Sequence, residues 1–350
     1  MLGNNALRHN PELILVLCGS SPSFMINEVV HSKALYNRSQ YEINLTEFSL
    51  KETQELLEKR AHREVMDGYL TVGGVPEYLH RINKHSSILI GICEESFKKN
   101  SYFSSEKNRI FISSFATNIH YEHIIDYLSQ VKYATRVDIE KELKVKSGGN
   151  LSAVLEDLEL CGFIERYQPY QSQEKSKLIR YCIKDSYLRF YFKFIAPLSK
   201  RIAQGDFMKN PLQALNSESY QKWLGLAFER FCRENSQLIA TILGFSAVRY
   251  KAGAFFNRAT SKADAGYQID LLFDRADHVI TLCEIRYTQA KTGIEAIEDV
   301  SRKLQYMPVK GSKTIEKVLI SASGATDALI GRGYFDRVIT LEDIFRFALA

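Results

Sequence analysis

The sequence predicts a multidomain α/β and α+β protein, and three observations carry that expectation. The chain has 350 residues, 45% of them hydrophobic and 25% charged, which is too long for one core and too apolar for a disordered polymer. Apolar spacing changes along the chain, from a helical period in the middle to strand alternation beyond residue 247. An apolar run at residues 13–18, bounded by Pro11 and Gly19, reads as a strand buried on both faces, as in parallel sheets.

Composition removes several classes of function. The first apolar run is six residues long, against the roughly 20 that a membrane span needs, and no cationic segment with a cleavage site precedes it. The expected setting is therefore cytoplasmic, with no membrane partner. Six cysteines lie far apart with no CxxC pair, so neither a structural zinc nor a disulfide framework is expected. Net charge is +5, from 46 basic and 41 acidic residues, a mild excess that permits nucleic-acid binding without requiring it.

The first 50 residues lack a complete sheet. Only 12 residues precede the strand at 13–18, too few for a neighbouring strand and a crossover helix. Beyond the strand come a cap-rich turn at residues 19–23, a helix at 24–32, a short stretch at 41–45 and a helix at 49–62. Either a second polypeptide completes the sheet or the chain is the C-terminal part of a longer protein. The strand ending in Gly19-Ser20-Ser21, the Leu35-Tyr36-Asn37-Arg38 step, the segment Leu45 to Leu50 and Gly73-Gly74-Val75-Pro76-Glu77-Tyr78-Leu79 together resemble the C-terminal portion of the archaeal-type AAA+/STAND ATPases.

That resemblance implies an ATPase-core remnant at residues 1–50, the end of a P-loop ATPase sheet, and a helical lid at 51–114. It implies that Ser20 and Ser21 are the sensor of the nucleotide γ-phosphate and that Arg38 contacts phosphate. From the residues alone, Ser20 and Ser21 are equally helix caps and Arg38 a surface arginine. No GxxxxGK[ST] occurs, and the nearest string, Gly311-Ser312-Lys313-Thr314, lacks the second glycine and the strand-loop-helix setting. Without that cradle, charge neutralisation at the phosphates is lost. ATP is thus a cofactor of the family that this chain is not expected to bind tightly or hydrolyse alone. The partners implied are a separate N-terminal ATPase polypeptide or further copies in a homo-oligomer.

Residues 115–185 read as three helices (122–131, 136–143 and 150–161) followed by strands at 162–167 and 178–183. This unit resembles a winged helix-turn-helix, whose partner would be double-stranded DNA. The third helix carries Glu156, Asp157 and Glu159 and no Lys or Arg along its middle. Candidate nucleic-acid contacts therefore gather at its approach and first turn (Lys144, Lys146, Ser147, Asn150 and Ser152) and on the wing (Lys175, Lys177 and Arg180). The alternative is a structural joint. The aromatic run at 189–195 reads as core, and residues 186–216 as a helical linker.

From residue 217 to 350 the pattern is helix, three strands, helix, strand. A hairpin turning at residues 274–277 sets Asp270 opposite Glu284 on one face, with Gln268 and Arg286 as the next pair. Ile269, Leu271 and Phe273 face Cys283, Ile285 and Tyr287 on the other. Two opposed carboxylates need a cation, a proton or an arginine between them. Oxygen donors from Asp270 and Glu284 suit Mg2+, with Glu229 completing the site from the first helix; Arg286 is the alternative, bridging both acids. The order of Glu229, Asp270 and Glu284 resembles the PD-(D/E)xK restriction-endonuclease-like domain, in which Glu229, Asp270, Glu284 and Arg286 would be the catalytic set. Arginine stands where the motif has lysine, and it holds charge without exchanging protons.

These features support three readings: a DNA-binding or interaction protein with a degenerate nuclease-like domain, a metal-dependent DNA endonuclease, and a subunit complementing a separate ATPase polypeptide.

Overall fold

A computed structural model describes residues 14, 16–19, 41–115, 120–144, 149–167, 179–257, 267–305, 307 and 313–348. Ser20, Ser21, Arg38, the helix expected at 24–32, Lys146, Ser147, Lys175 and Lys177 lie outside them. Residues 14 and 16–19 form no strand, and Ile14, Val16 and Leu17 are exposed, so the described part of the segment expected to be a strand has no ladder partner.

Helices begin where Ser49 and Glu52 close a capping box: Glu52 N–H donates to Ser49 Oγ (3.3 Å) and Ser49 N–H to Glu52 Oε2 (2.8 Å). The helix expected at 49–62 is interrupted, giving α1 (Leu50–Leu56) and α2 (His62–Val72). Between them Arg60 turns its guanidinium onto the carbonyls of Asn83 and His85, which end α3 (Pro76–Asn83). Gly74 before α3 has no room for a side chain, since a Cβ there would stand 2.0 Å from the Phe48 carbonyl oxygen. Phe48 N–H donates to Gly74 O at 2.8 Å, so the glycine pair and the segment ending at Leu50 are one contact. Helices α4 (Ile88–Phe97) and α5 (Tyr102–Phe115) complete this region.

A second unit comprises α6 (His120–Gln130), β1 (Ala134–Thr135), α7 (Arg136–Leu143), α8 (Gly149–Leu160), β2 (Ile164–Tyr167) and β3 (Arg180–Ile183). Its strands form an antiparallel sheet in the order β1-β3-β2. Helix α9 (Ser186–Phe190), a π-helical turn (Tyr191–Ile195) and α10 (Ser199–Gln204) lead on. Phe190 and Phe194 pack edge-on against Tyr220 and Trp223 of α11 (Ser217–Glu234); Tyr187, Leu188, Phe190, Phe194 and Ile195 are buried, while Lys193 is exposed.

The C-terminal unit adds α12 (Ser236–Leu243), β4 (Tyr250–Asn257), β5 (Tyr267–Arg275), β6 (Val279–Arg286), α13 (Glu295–Gln305), β7 (Thr314–Ser321), α14 (Asp327–Gly331), β8 (Arg337–Ile339) and α15 (Leu341–Ala348). The sheet runs β4-β5-β6-β7-β8, antiparallel across β4, β5 and β6 and parallel across β6, β7 and β8. Leu271, Phe273, Cys283 and Ile285 share a cluster with Phe228 and Phe231 of α11. Leu272, Ile280 and Leu282 pack with Val300 of α13, so the sheet is covered on both faces. Ile269 joins the α13 cluster rather than its expected neighbours, next to the β-bulge between Gly253 and Phe255 of β4. The main apolar cluster extends from Leu50 to Phe345; the helical region and the C-terminal unit share one core.

Candidate active site

Strands β5 and β6 pair from Asp274↔Ile280 to Leu271↔Cys283, the expected register, and Asp270 and Glu284 follow at the end of that ladder. Asp270 is 7% exposed and Glu284 1%. Asp270 Oδ2 accepts from Ile285 N–H at 3.2 Å, and Oδ1 from Gln268 Nε2 at 3.3 Å. The same Nε2 stands 3.5 Å from Glu229 Oε2, so Gln268 links the acid of α11 to that of β5. Arg233, one turn on from Glu229, donates to Asp270 O (3.3 Å) and lies 3.7 Å from Glu229 Oε2.

Glu284 lies between two cations. Arg286 NH2 is 2.8 Å from its Oε1 and Lys303 Nζ 2.5 Å from its Oε2. Arg286 does not bridge the two strand acids; its second partner is Asp299 of α13 at 2.7 Å, because α13 brings that carboxylate over the sheet end. Lys303 is a site residue that the sequence motifs do not single out. Its signal is helical spacing: Ala296 and Val300, both fully buried, set a stripe that Lys303 continues three residues on, so its ammonium points inward.

Burial raises the Glu229 carboxyl to about 7, reinforced by the Asp270 charge and opposed by Arg233; Glu284 adds to the rise and Lys132 opposes it. Burial also raises Glu284, with Lys303 opposing and Asp270 adding. Among the described residues, no group of three or more His, Cys, Asp and Glu is placed to hold a metal ion. Mg2+ commonly takes only one or two carboxylates and keeps its waters. Asp270 and Glu284 supply hard oxygens with lone pairs beyond those already engaged, so the donor chemistry fits such a two-carboxylate site.

The expected nucleic-acid residues are not brought together here. Lys144 ends α7 in a left-handed conformation (φ 53°) and is exposed, as are Asn150 and Ser152. Ser152 Oγ accepts from Arg136 NH1 at 2.7 Å, and Glu156 and Glu159 line the same groove. Arg180 lies elsewhere, its guanidinium 3.9 Å from the centre of the Tyr133 ring.

No family model matches the chain. The uncharacterized protein MJECL04 of Methanocaldococcus jannaschii is 27% identical over 226 residues, covering 64% of this chain and 50% of that protein; the chain spans about half the length of this curated relative. Protein VC1899 from Vibrio cholerae superposes with a TM-score of 0.27 at 11% identity, over 75% of this chain and 58% of that one, a likeness too slight to carry an argument. No described helix is long and apolar enough to cross a membrane.

Proposed function

We propose that the C-terminal unit is a metal-dependent phosphodiesterase acting on nucleic acid, of the PD-(D/E)xK-like kind. The observation that carries this reading is the buried Asp270–Glu284 pair with the Lys303 ammonium on Glu284. Arg286 cannot take part in proton exchange, whereas Lys303 supplies a compact ammonium at the same carboxylate. Asp270 and Glu284 would hold Mg2+, which when bound polarises a phosphodiester oxygen and makes bound water more acidic.

The chain's own groups supply the rest. Glu229, its carboxyl held near neutrality, takes a proton from an attacking water at Oε2. Lys303 offsets charge that grows on the scissile phosphate. Arg286, fixed by Glu284 and Asp299, binds a non-bridging oxygen. Burial excludes bulk water, which strengthens each of these interactions.

A second reading, a nucleic-acid-binding relic without cleavage, draws on the two cations that already occupy both oxygens of Glu284. Supercoiled plasmid incubated with Mg2+ or Mn2+ separates the two. Phosphodiesterase activity requires nicking by the wild type that EDTA stops and Asp270→Ala abolishes. Equal nicking by both proteins, or none by either, contradicts it. The resemblance to AAA+/STAND ATPases is supported by the joining of two of its segments, Phe48 to Gly74; ATP hydrolysis is not proposed for this chain alone, and complementation by an N-terminal ATPase polypeptide accords with the exposed Ile14, Val16 and Leu17.

A further inference from the structure

A chain of ion pairs runs from the buried acids to the surface. Arg286 NH2 lies 2.8 Å from Glu284 Oε1 and 2.7 Å from Asp299 Oδ2, and Arg302 NH2 donates to the other oxygen of the same carboxylate, Asp299 Oδ1, at 3.3 Å. Side-chain exposure rises along it, from 2% at Glu284 through 34% at Arg286 and 38% at Asp299 to 65% at Arg302. On the α13 side the acid site therefore meets solvent along this line.

The two guanidinium groups differ in what holds them. Arg286 is fixed by two carboxylates. Arg302 has one long contact, a turn back on its own helix, and an exposed pair of that kind is worth at most about 1 kcal/mol. A guanidinium carries five N–H donors in a fork that matches a phosphate, so Arg302 keeps donors for a ligand and gives up little to use them. Charge along α13 is also divided: Glu295 and Glu298 lie in the first turn, Arg302 and Lys303 in the last. A phosphate backbone is repelled by the first and drawn to the second.

We infer that the cut strand of a nucleic-acid duplex runs along the C-terminal half of α13, with Arg302 gripping the phosphate next to the scissile one. Arg286 and Arg302 stand on opposite oxygens of one carboxylate, close enough to take neighbouring phosphates of the same strand. Arg302 acts in binding and not in bond cleavage. This rests on the phosphodiesterase reading of the acid site and adds to it the path of the substrate.

The test is fluorescence anisotropy with the full chain, metal chelated, and a labelled mixed-sequence DNA duplex as the probe. Arg302→Glu should weaken binding at least about fivefold, and Arg302→Gln should lower the slope of log affinity against log salt by roughly 0.9, the value for one lost phosphate contact. Arg302→Lys keeps the charge and should keep the wild-type slope. Lys222→Glu, on the exposed pair with Glu218, controls for net charge and should leave the slope unchanged. In metal-dependent plasmid nicking, Arg302→Gln should raise KM and leave kcat unaltered, as expected for a contact made equally in ground and transition states. Melting temperatures confirm that each variant is folded.

Wild-type affinity and salt slope in Arg302→Glu, or no binding of the duplex by the wild type, overturns the inference. Binding that depends on Arg302 in a chain that does not cut sinks the phosphodiesterase and leaves the strand path standing. Cutting whose KM is unmoved in Arg302→Gln sinks the path alone.

Discussion

Glu229 is linked to Asp270 through the side-chain amide of Gln268, and burial beside that second carboxylate raises it from 4.5 to about 7. Between those values the folded chain binds more protons at this site than the unfolded chain, so its contribution to stability falls as pH rises through the window. At 1.36 kcal/mol per unit the cost at pH 8 is at most about 3 kcal/mol. Glu229→Gln removes the charge and keeps the shape. Denaturant midpoints should show the variant more stable by about 2 kcal/mol at pH 8 and level with the wild type at pH 4, while metal-dependent cleavage falls. The same gain at both pH values would contradict the assignment. Asp185 titrates near the same point, also raised to about 7 by burial, but it is common to both proteins and cancels. The register of β5 with β6 from Leu271 to Asp274 was legible in the sequence because turn position and alternation define it. Lys303 was not, because its importance depends on which face of α13 meets the sheet.

At the scale of elements, α2 meets the end of β6 through a polar clamp. Tyr287 O–H donates to Asp67 Oδ1 at 2.6 Å, Arg63 NH1 donates to Thr288 O at 3.0 Å, and the Arg63 guanidinium lies 3.8 Å over the Tyr287 ring. Burial raises the Asp67 carboxyl even so. Tyr287→Phe keeps the ring under Arg63 but removes the donor, and should destabilise the chain by about 1–3 kcal/mol in thermal or urea unfolding; no change would mean that the clamp is solvated. Since Tyr287 follows Arg286, the clamp also fixes the strand end at the site. Gly74→Ala drives a methyl into the Phe48 carbonyl and should cost about 3 kcal/mol, read as a lowered melting temperature. The β5–β6 hairpin and α7, observed at residues 136–143 as expected, were readable because turn chemistry and short-range period define them. The break between α1 and α2 was not, because it depends on Arg60 finding carbonyls more than twenty residues away.

Across the whole molecule, one apolar cluster joins the helical region, α9, α11 and the large sheet. Periodicity reports which face of an element is buried and not what it is buried against, so the shared cluster was not legible in the sequence. Trp223, the single tryptophan, packs at that junction against Phe190, Phe194 and Tyr220. Its fluorescence and the far-ultraviolet circular dichroism should therefore report coincident unfolding transitions; two separated transitions would show independent domains. Continuity of the core matters for function, because α11 carries Glu229 toward the acids of the sheet and Arg230 toward β3. The most direct measurement of the central claim is Mn2+-dependent plasmid nicking by Lys303→Met beside the wild type and Arg286→Lys. The account predicts that Lys303→Met, assayed below its melting temperature, which falls because Glu284 loses a buried cation, loses cleavage by at least about a hundredfold, in the range for removing one transition-state charge donor, while Arg286→Lys retains it in part. Cleavage by Lys303→Met at the wild-type rate would contradict the account.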